Sequence, residues 1–340
     1  AGYYTGLVVF LFWRYQLKER KKRRMGQIND PDIRQEEAER AEPHRRILQA
    51  GSAAVLGILL LFLTLRLHSG FQLVMLDVGQ GDGIYLRTAA GTTILIDGGS
   101  TSVTKVGTYR ILPFLKSEGV GRLDYIVVTH TDEDHISGIK ELLETASEPG
   151  GLRIGTLLLS GRSMEEEKGQ RLMENARESG VTVQKIEKGA VLRDGLTELT
   201  CLHPDGTKAY ADVNEASVVL ALRYQEFSVM LTGDLEETGE REILEREQKH
   251  GGKEWPPYGF AVLKAGHHGS RTSGSEAWLE AVKPRLTLIS CGRDNSYGHP
   301  HREALERLDA AGSKILQTTE CGAITVESDG KDFRVHAYLQ

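Results

Sequence analysis

The sequence has few cysteines and prolines, and its cysteines fall in no recognisable metal-binding pattern. Cys201, Cys291 and Cys321 lie far apart and form no CxxC pair, which excludes a thiolate zinc site and a dense disulfide framework. With 9 prolines, 38 glycines and 26% charged residues among 340, the composition also excludes collagen-like and disordered chains. We therefore expect buried free thiols in a chain long enough for one large domain and an appendage.

Positive charge is scarce in the C-terminal part of the chain. The net charge is −6, but residues 1–68 hold 12 Lys+Arg against 7 Asp+Glu. The other 272 residues hold 30 basic against 41 acidic side chains, a net charge of −11. The two parts are therefore expected to face different surroundings, and the larger one lacks the overall basic surface that is usual for phosphate binding.

Long hydrophobic runs lie near the N-terminus. Residues 47–65 contain no charge, and about 20 apolar residues span a bilayer, so we predict a transmembrane helix over residues 47–67 rather than a core helix or signal peptide. Uncharged residues 1–13 predict a partial transmembrane segment over 1–17, preceded by a missing N-terminal channel part. Ten Lys+Arg between Lys18 and Arg46 predict a cytoplasmic loop over 18–46, more than a nucleic-acid arm. We therefore expect a multi-pass protein of the cell membrane in which the domain of residues 70–340 is extracellular.

From residue 71 onward, short β-rich runs alternate with stretches of helical periodicity. Strands are predicted at residues 71–76, 84–87, 92–96, 123–129, 217–224, 228–231, 261–264, 286–289 and 333–338. Helices are predicted at residues 136–145, 164–179, 238–250, 275–282 and 302–311. This mixture implies layered sheets covered by helices.

The most informative segment is His130-Thr131-Asp132-Glu133-Asp134-His135, which follows a predicted buried strand. A polar turn with an aspartate cap accounts for one carboxylate and leaves both histidines unexplained. In an extended segment His130 and Asp132 can point the same way, while Asp134 and His135 converge from the helix entry. The turn therefore predicts a site for one or two divalent metal ions.

This turn resembles the HxHxDH signature of the metallo-β-lactamase superfamily, with Asp132 in place of the second histidine. More specifically, an ordered set of motifs resembles the C-terminal region of the ComEC-type family of bacterial DNA-uptake channels. These motifs are residues 76–82, 94–99, 130–135, 214–217, 231–234, 263–270 and 295–300. The resemblance implies an α/β fold, the αβ/βα four-layer sandwich, with metal ions at one edge of the sheets.

The resemblance also implies a set of ligands. The expected metal ligands are His130, Asp132, Asp134, His135, Asp234 and His267. Asp234 matches an aspartate that bridges two metals, and His267 is preferred over His268, which remains a catalytic candidate. Asp97 and Asp77 are expected to support the ligands from behind.

One histidine expected from the resemblance is missing. Asn214, Glu215 and Ser217 stand where the third histidine motif should precede a strand. His203 is the nearest histidine, but it lies before the loop, so we expect it to be structural. This loss, together with Asp132, makes the donor set richer in oxygen, which favours Mn²⁺ while Zn²⁺ remains possible.

Other residues are candidates for catalysis and substrate binding. Asp134 is expected to orient water as a general base, and His299 or Tyr297 to protonate a leaving oxygen. A phosphate-binding loop is expected before a helix, although a simple capping role for its last serine is an alternative. The residues of this loop are Ser270, Arg271, Thr272 and Ser273.

Three functions follow as hypotheses. The leading one is a membrane-tethered, externally facing, metal-dependent nuclease that uses two divalent ions to cut DNA during uptake, together with the channel and the uptake machinery. The second is a hydrolase of a small ester, lactone or β-lactam, since fold alone does not decide the substrate. The third is a non-catalytic domain that binds DNA or gates the channel, which the intact set of ligand residues disfavours.

Overall fold

The computed structural model describes residues 15–16, 32, 43, 46–59, 70–148, 150–249 and 255–339, in two compact units that divide after residue 67. In the first unit, residues 46–59 are helical. Residues 60–67 of the predicted transmembrane helix, and nearly all of the predicted segments 1–17 and 18–46, lie outside the described residues. Within the described ranges, no helix combines the length and apolar character needed to cross a membrane.

The second unit is built on two mixed β-sheets. One sheet has the described strand order β15-β14-β1-β2-β3-β4-β5-β6, and the other has the order β13-β12-β11-β10-β9-β8-β7. The strands are β1 (Phe71–Met75), β2 (Ile84–Arg87), β3 (Thr93–Ile96), β4 (Arg122–Val128), β5 (Arg153–Leu159), β6 (Thr182–Lys185), β7 (Val191–Asp194), β8 (Thr197–His203), β9 (Val219–Tyr224), β10 (Phe227–Leu231), β11 (Val262–Lys264), β12 (Leu286–Ile289), β13 (Lys314–Gln317), β14 (Ile324–Ser328) and β15 (Phe333–Ala337).

Helices cover the outer faces of both sheets. They are α1 (Leu112–Ser117), α2 (Glu133–Ala146), α3 (Gly161–Glu165), α4 (Glu167–Glu178), α5 (Glu237–Lys249), α6 (Glu276–Val282), α7 (Arg302–Ala310) and α8 (Thr318–Cys321). A π-helical turn, Gly107–Ile111, precedes α1. Thr182–Lys185 and Val191–Asp194 are edge strands of their sheets and are the most exposed ones.

Three apolar layers separate these elements. Leu73 and Ile94 of the first sheet pack with Leu220 of the second in the layer between the sheets. A second layer packs α2 and α4 against the first sheet, and a third packs α6 and α7, with Trp278, against the second. Because successive residues of a strand point to opposite faces, strands buried on both sides read as continuous apolar runs. The predicted four-layer αβ/βα sandwich is confirmed.

Several predicted boundaries need correction. Helix α2 begins at Glu133 rather than near residue 136, so the end of the predicted metal-binding turn forms its first turn. The single helix predicted over 164–179 is two helices, because Glu166 between them has an extended backbone. Strands β5, β6, β7, β8, β13 and β14 were not predicted. Polar residues interrupt all six strands, and β6, β7, β13 and β14 are also short, so the local pattern is weak and pairing with neighbouring strands creates them.

The parallel strands determine where polar residues gather. Strands β3 and β4 are parallel in the first sheet, and β10, β11 and β12 are parallel in the second. Carboxyl ends of parallel strands open at the same edge, where ligands usually bind. Asp97, His130, Asp234 and His267 all follow such strand ends within three residues. The backbone N–H of Val218 donates to the carbonyl of Thr129 at 2.9 Å and joins the two sheets there.

Candidate metal centre

The carboxylate of Asp234 lies at the centre of the polar cluster and is almost fully buried. Its Oδ2 atom lies 4.0 Å from Nε2 of His130, 3.3 Å from Nε2 of His135 and 3.4 Å from Nε2 of His268. His267 Nε2 lies 3.7 Å from the same oxygen, on a more exposed side chain. One carboxylate oxygen therefore has four imidazole nitrogens around it.

The three buried imidazoles are held through their other nitrogen. Nδ1 of His130 lies 3.2 Å from the hydroxyl of Thr129, and Nδ1 of His135 lies 2.9 Å from Asp97 Oδ2. Nδ1 of His268 lies 2.9 Å from the carbonyl of Ser290. Such partners fix the ring orientation of metal-binding histidines. Asp97 also accepts from the N–H and hydroxyl of Thr129, as expected of a supporting residue.

The Nε2 atoms themselves have no conventional partner. In the described part of the chain, Nε2 of His130, His135 and His268 is buried without a hydrogen bond. Buried polar atoms are normally hydrogen-bonded, so unsatisfied ones that converge need an explanation such as a missing ion. His130, His135 and Asp234 place one potential ligand atom each within 4.8 Å of one another, as do Asp134, His135 and His268. The site therefore fits a divalent ion bound by nitrogen and oxygen.

Charge in this cluster is balanced by protons. Burial opposes the charged form of His135, but Asp234 and Asp97 raise its pKa well above the usual value. For His268, burial also opposes the charged form, whereas Asp234 and Asp82 raise the pKa well above the usual value. Burial lowers the pKa of His130 well below the usual value. His135 and His268 would have to release a proton from Nε2 to bind a metal ion.

The backbone turn at His267 and His268 gives these adjacent histidines different degrees of burial. His267 has φ 45° and ψ 50°, and His268 has φ 55° and ψ 25°, both left-handed conformations. Non-glycine residues in this region are uncommon, and they concentrate at functional sites. The turn places His268 in the buried cluster, while His267 contacts Glu236 Oε1 at 2.9 Å on the open side. The structure thus places His268, and not the preferred His267, among the buried donors.

Asp132 and Asp77 also lie outside the buried cluster. Asp132 is at the N-cap of α2 with its side chain 42% exposed, and its Oδ1 accepts from Lys168 at 3.0 Å. Its Oδ2 is 3.8 Å from His130 Nε2, so it flanks the site at its rim. Asp77 pairs with Arg110 at 3.1 Å on the surface, whereas Asp82 Oδ1 lies 3.4 Å from His268 Nδ1.

The predicted phosphate-binding loop is occupied by protein groups. The carboxylate of Glu240 accepts from the backbone N–H of Gly274 at 2.6 Å and of Ser275 at 2.9 Å. The helix start expected to bind an anion is therefore already hydrogen-bonded. The side chains of the loop are also engaged: Ser270 with Thr272, Thr272 with Glu236, Ser273 with the carbonyl of Leu235, and Arg271 with Glu303.

The two candidate proton donors lie together at the mouth. The rings of Tyr297 and His299 are stacked at 5.6 Å, and His299 lies 6.1 Å from His268 with an interplanar angle of 29°. Burial, followed by the charges of His268 and His267, lowers the pKa of His299 to about 4. His299 is therefore neutral at neutral pH and offers a hydrogen bond rather than an ionised proton donor.

Three site residues were not assigned from the sequence: Asp82, Lys264 and Glu236. Asp82 Oδ1 lies 3.4 Å from His268 Nδ1, and its carboxylate contacts the buried ammonium of Lys264. A lysine at the end of an apolar strand and an aspartate after a glycine turn were the available signals. In the third-motif region, Ser217 accepts from the N–H of Asp234 at 3.3 Å.

The remaining predictions about single residues are consistent with the structure. His203 is buried and its Nε2 contacts the carbonyl of Glu215 at 2.7 Å, as expected of a structural histidine. All three cysteines are free; Cys201 and Cys291 are buried and Cys321 is partly exposed. Burial raises the pKa of Cys201 to about 12, so this thiol is unreactive at neutral pH.

The chain belongs to the metallo-beta-lactamase superfamily, whose family model matches residues 76–293. It is similar to ComE operon protein 3 of Bacillus subtilis (strain 168), with 29% identity over 82% of this chain and 36% of that protein. It is also similar to competence protein ComA of Neisseria gonorrhoeae, with 32% identity over 73% of this chain and 31% of that protein. The resemblance inferred from the motifs is confirmed.

A solved structure shares the fold. Unliganded yeast PDE1 aligns with 77% of this chain and 100% of its own, with 13% identity and a TM-score of 0.50. The chain spans about a third of the length of the two competence proteins. Family membership and the nitrogen and oxygen donors together support a metal-dependent hydrolase.

Proposed function

We propose that this chain is the metal-dependent nuclease part of a bacterial DNA-uptake protein and that it hydrolyses DNA phosphodiesters. The observation that carries the proposal is the convergence of three unpartnered Nε2 atoms on one oxygen of Asp234. The two similar competence proteins support the link to DNA uptake. Its partners would be DNA, the membrane, an N-terminal channel part and the uptake machinery.

The residues we assign to the metal ions are His130, Asp134, His135, Asp234 and His268, with Asp132 and His267 at the open side. Divalent ions held there supply Lewis acidity and offset the charge of a phosphoryl group. We propose two ions, with Mn²⁺ ahead of Zn²⁺, because the carboxylates of Asp134 and Asp234 are donors that suit Mn²⁺ and no thiolate is present; the imidazoles are donors that also suit Zn²⁺.

The protein groups position the other reactants. Asp134, whose Oδ2 lies 3.5 Å from His268 Nε2, is the carboxylate we assign to orienting the attacking water. His299 offers a hydrogen bond to the leaving oxygen, and the hydroxyl of Tyr297 is the second candidate donor at the mouth. A buried cluster of this kind excludes bulk water, which strengthens each of these interactions.

The mouth of the site also has features that suit nucleic acid. Tyr297 is 54% exposed and one face of its ring stacks on His299, so we propose that the other face binds a nucleobase. Lys168 and Arg162 lie beside the metal-binding turn, paired with Asp132 and Glu166. Each cation is already paired with a carboxylate, so a phosphate group would have to compete with that partner.

Cleavage of DNA by the 340-residue chain, purified in detergent, tests this proposal directly. We expect labelled single- or double-stranded oligonucleotides to be cut with Mn²⁺, cleavage to stop after chelation with EDTA, and activity to return when the ion is restored. Zn²⁺ and Mg²⁺ serve as comparison ions. A metal-loaded chain that hydrolyses lactones or β-lactams but leaves both forms of DNA intact contradicts the proposal and favours the small-ester alternative.

We also propose that residues 18–46 are cytoplasmic and that residues 70–340 are outside the cell. In intact cells, with Cys321 replaced by serine, a membrane-impermeant maleimide is expected to label Glu178→Cys, an exposed position of helix α4. The same reagent is expected to leave Arg34→Cys unlabelled, since the basic loop stays inside. Labelling of Arg34→Cys without labelling of Glu178→Cys means that the orientation is reversed.

A further inference from the structure

Lys264 is a buried lysine within the proposed metal site. It is the last residue of strand β11, and its side chain is 1% exposed. Its ammonium contacts the carboxylate of Asp82, donates to the carbonyl of Gly233 at 2.6 Å and lies 3.5 Å from Asp234 Oδ1. Lysine is almost never fully buried unless it is paired, so these three acceptors are what make the position tolerable.

The two carboxylate oxygens of Asp234 have different neighbours, because the ammonium of Lys264 lies beside only one of them. Oδ1 faces Lys264, whereas Oδ2 faces the imidazoles of His130, His135 and His268. A carboxylate with both oxygens free can bind one ion through both atoms or use them separately. Here only Oδ2 is turned toward the unpartnered Nε2 atoms.

The same ammonium also determines the role of Asp82. One oxygen of Asp82 contacts Lys264, and the other lies 3.4 Å from His268 Nδ1, behind the ring. Asp82, Asp234 and His268 also place one potential ligand atom each within 4.8 Å of one another, and the ammonium of Lys264 contacts both carboxylates of this group. Lys264 supplies the positive charge that this group would otherwise take from a metal ion.

We propose that Lys264 is a built-in cation that closes the Asp82–Asp234 position to metal ions and restricts them to Asp234 Oδ2. In this role Lys264 is a positioning residue that acts through the two carboxylates. The inference rests on the proposed metal site, but it does not depend on DNA being the substrate. It concerns how many ions bind and through which oxygen.

Two substitutions of Lys264 separate the effect of its side-chain volume from the effect of its charge. Lys264→Ala removes both, so we expect the full chain in detergent to bind one more Mn²⁺ per molecule than the unsubstituted chain, measured by elemental analysis. Lys264→Met fills the space without the charge, so we expect unchanged stoichiometry with affinity weakened about 10–100-fold, as for other groups that support metal ligands. Lys140→Met, in an exposed pair with Glu133, is the matched control and should change neither quantity.

The Co²⁺ absorption spectrum gives a readout that a purely structural role would not alter. Freeing Asp234 Oδ1 allows a higher coordination number, so we expect weaker visible bands in Lys264→Ala than in the unsubstituted chain. If either variant does not fold, the double variant Asp82→Asn/Lys264→Met removes one negative and one positive charge together. It should show the same weakening of metal affinity as Lys264→Met.

Unchanged stoichiometry, affinity and spectra in these variants overturn the inference. Failure of the unsubstituted chain to bind any divalent ion would instead overturn the proposed function. Metal binding is measured without DNA, so the two outcomes are distinguishable.

Discussion

Asp234→Asn is expected to abolish DNA hydrolysis and to lower metal affinity by about 100-fold or more. Groups that merely support metal ligands cost 10–100-fold when they are replaced, and Asp234 Oδ2 is the atom on which the imidazoles converge. The measurements are elemental analysis after dialysis against limiting Mn²⁺ and cleavage of a labelled oligonucleotide.

The same substitution should destabilise the metal-free chain. Burial opposes the charge on Asp234, but His268, His135 and Lys264 hold the pKa of its carboxyl well below the usual range. Removing that charge leaves Lys264 with one fewer carboxylate in a buried site, and breaking a buried pair costs about 3–5 kcal/mol. Urea denaturation of the metal-free protein measures this loss.

Asp132→Asn is the comparison for Asp234→Asn at the exposed rim of the same site. Asp132 is partly exposed and pairs with Lys168, so its effect on metal content and stability should be much smaller. Asp234→Asn with metal content and activity like those of the unsubstituted chain would contradict the assignment of the cluster as a metal centre.

His268→Gln is expected to lower metal affinity and DNA hydrolysis about 100-fold, and His267→Gln about tenfold or less. His268 is buried with its Nε2 free to bind an ion, whereas His267 is 24% exposed and contacts Glu236. The two substitutions form a matched pair, because each removes one imidazole and the two residues are adjacent in the same turn. Metal titration of both variants under identical conditions gives the comparison, and a larger loss in His267→Gln contradicts the assignment.

The pH dependence of metal binding provides a further check on His268. Despite burial, carboxylates raise the pKa of His135 and His268 well above the usual value, so the metal-free site carries protons that an ion must displace. Metal affinity should therefore rise with pH. The rise should be shallower in His268→Gln, because one of the two proton-carrying rings is absent.

Local sequence patterns predicted those strands and turns whose conformation depends mainly on residues close together in the chain. The apolar run before His130 predicts strand β4, and the polar turn after it predicts metal chemistry, because side-chain periodicity reports burial directly. Short polar strands such as Thr182–Lys185 and Val191–Asp194 escaped prediction. Their strand conformation depends on pairing with β5 and β8, which no local window contains.

The sequence by itself determined that this chain has the donors for a metal centre at strand ends, since those residues follow recognisable apolar runs. Only the tertiary structure decided which donors meet. A left-handed turn places His268 in the buried part of the cluster and His267 on its open side, and packing of the two sheets brings Asp82 against Lys264. The physical reason is that the pattern of apolar and polar residues constrains only the local backbone and which side chains are buried. Contacts between distant strand ends depend on the order of strands in each sheet and on the sign of φ in single turns.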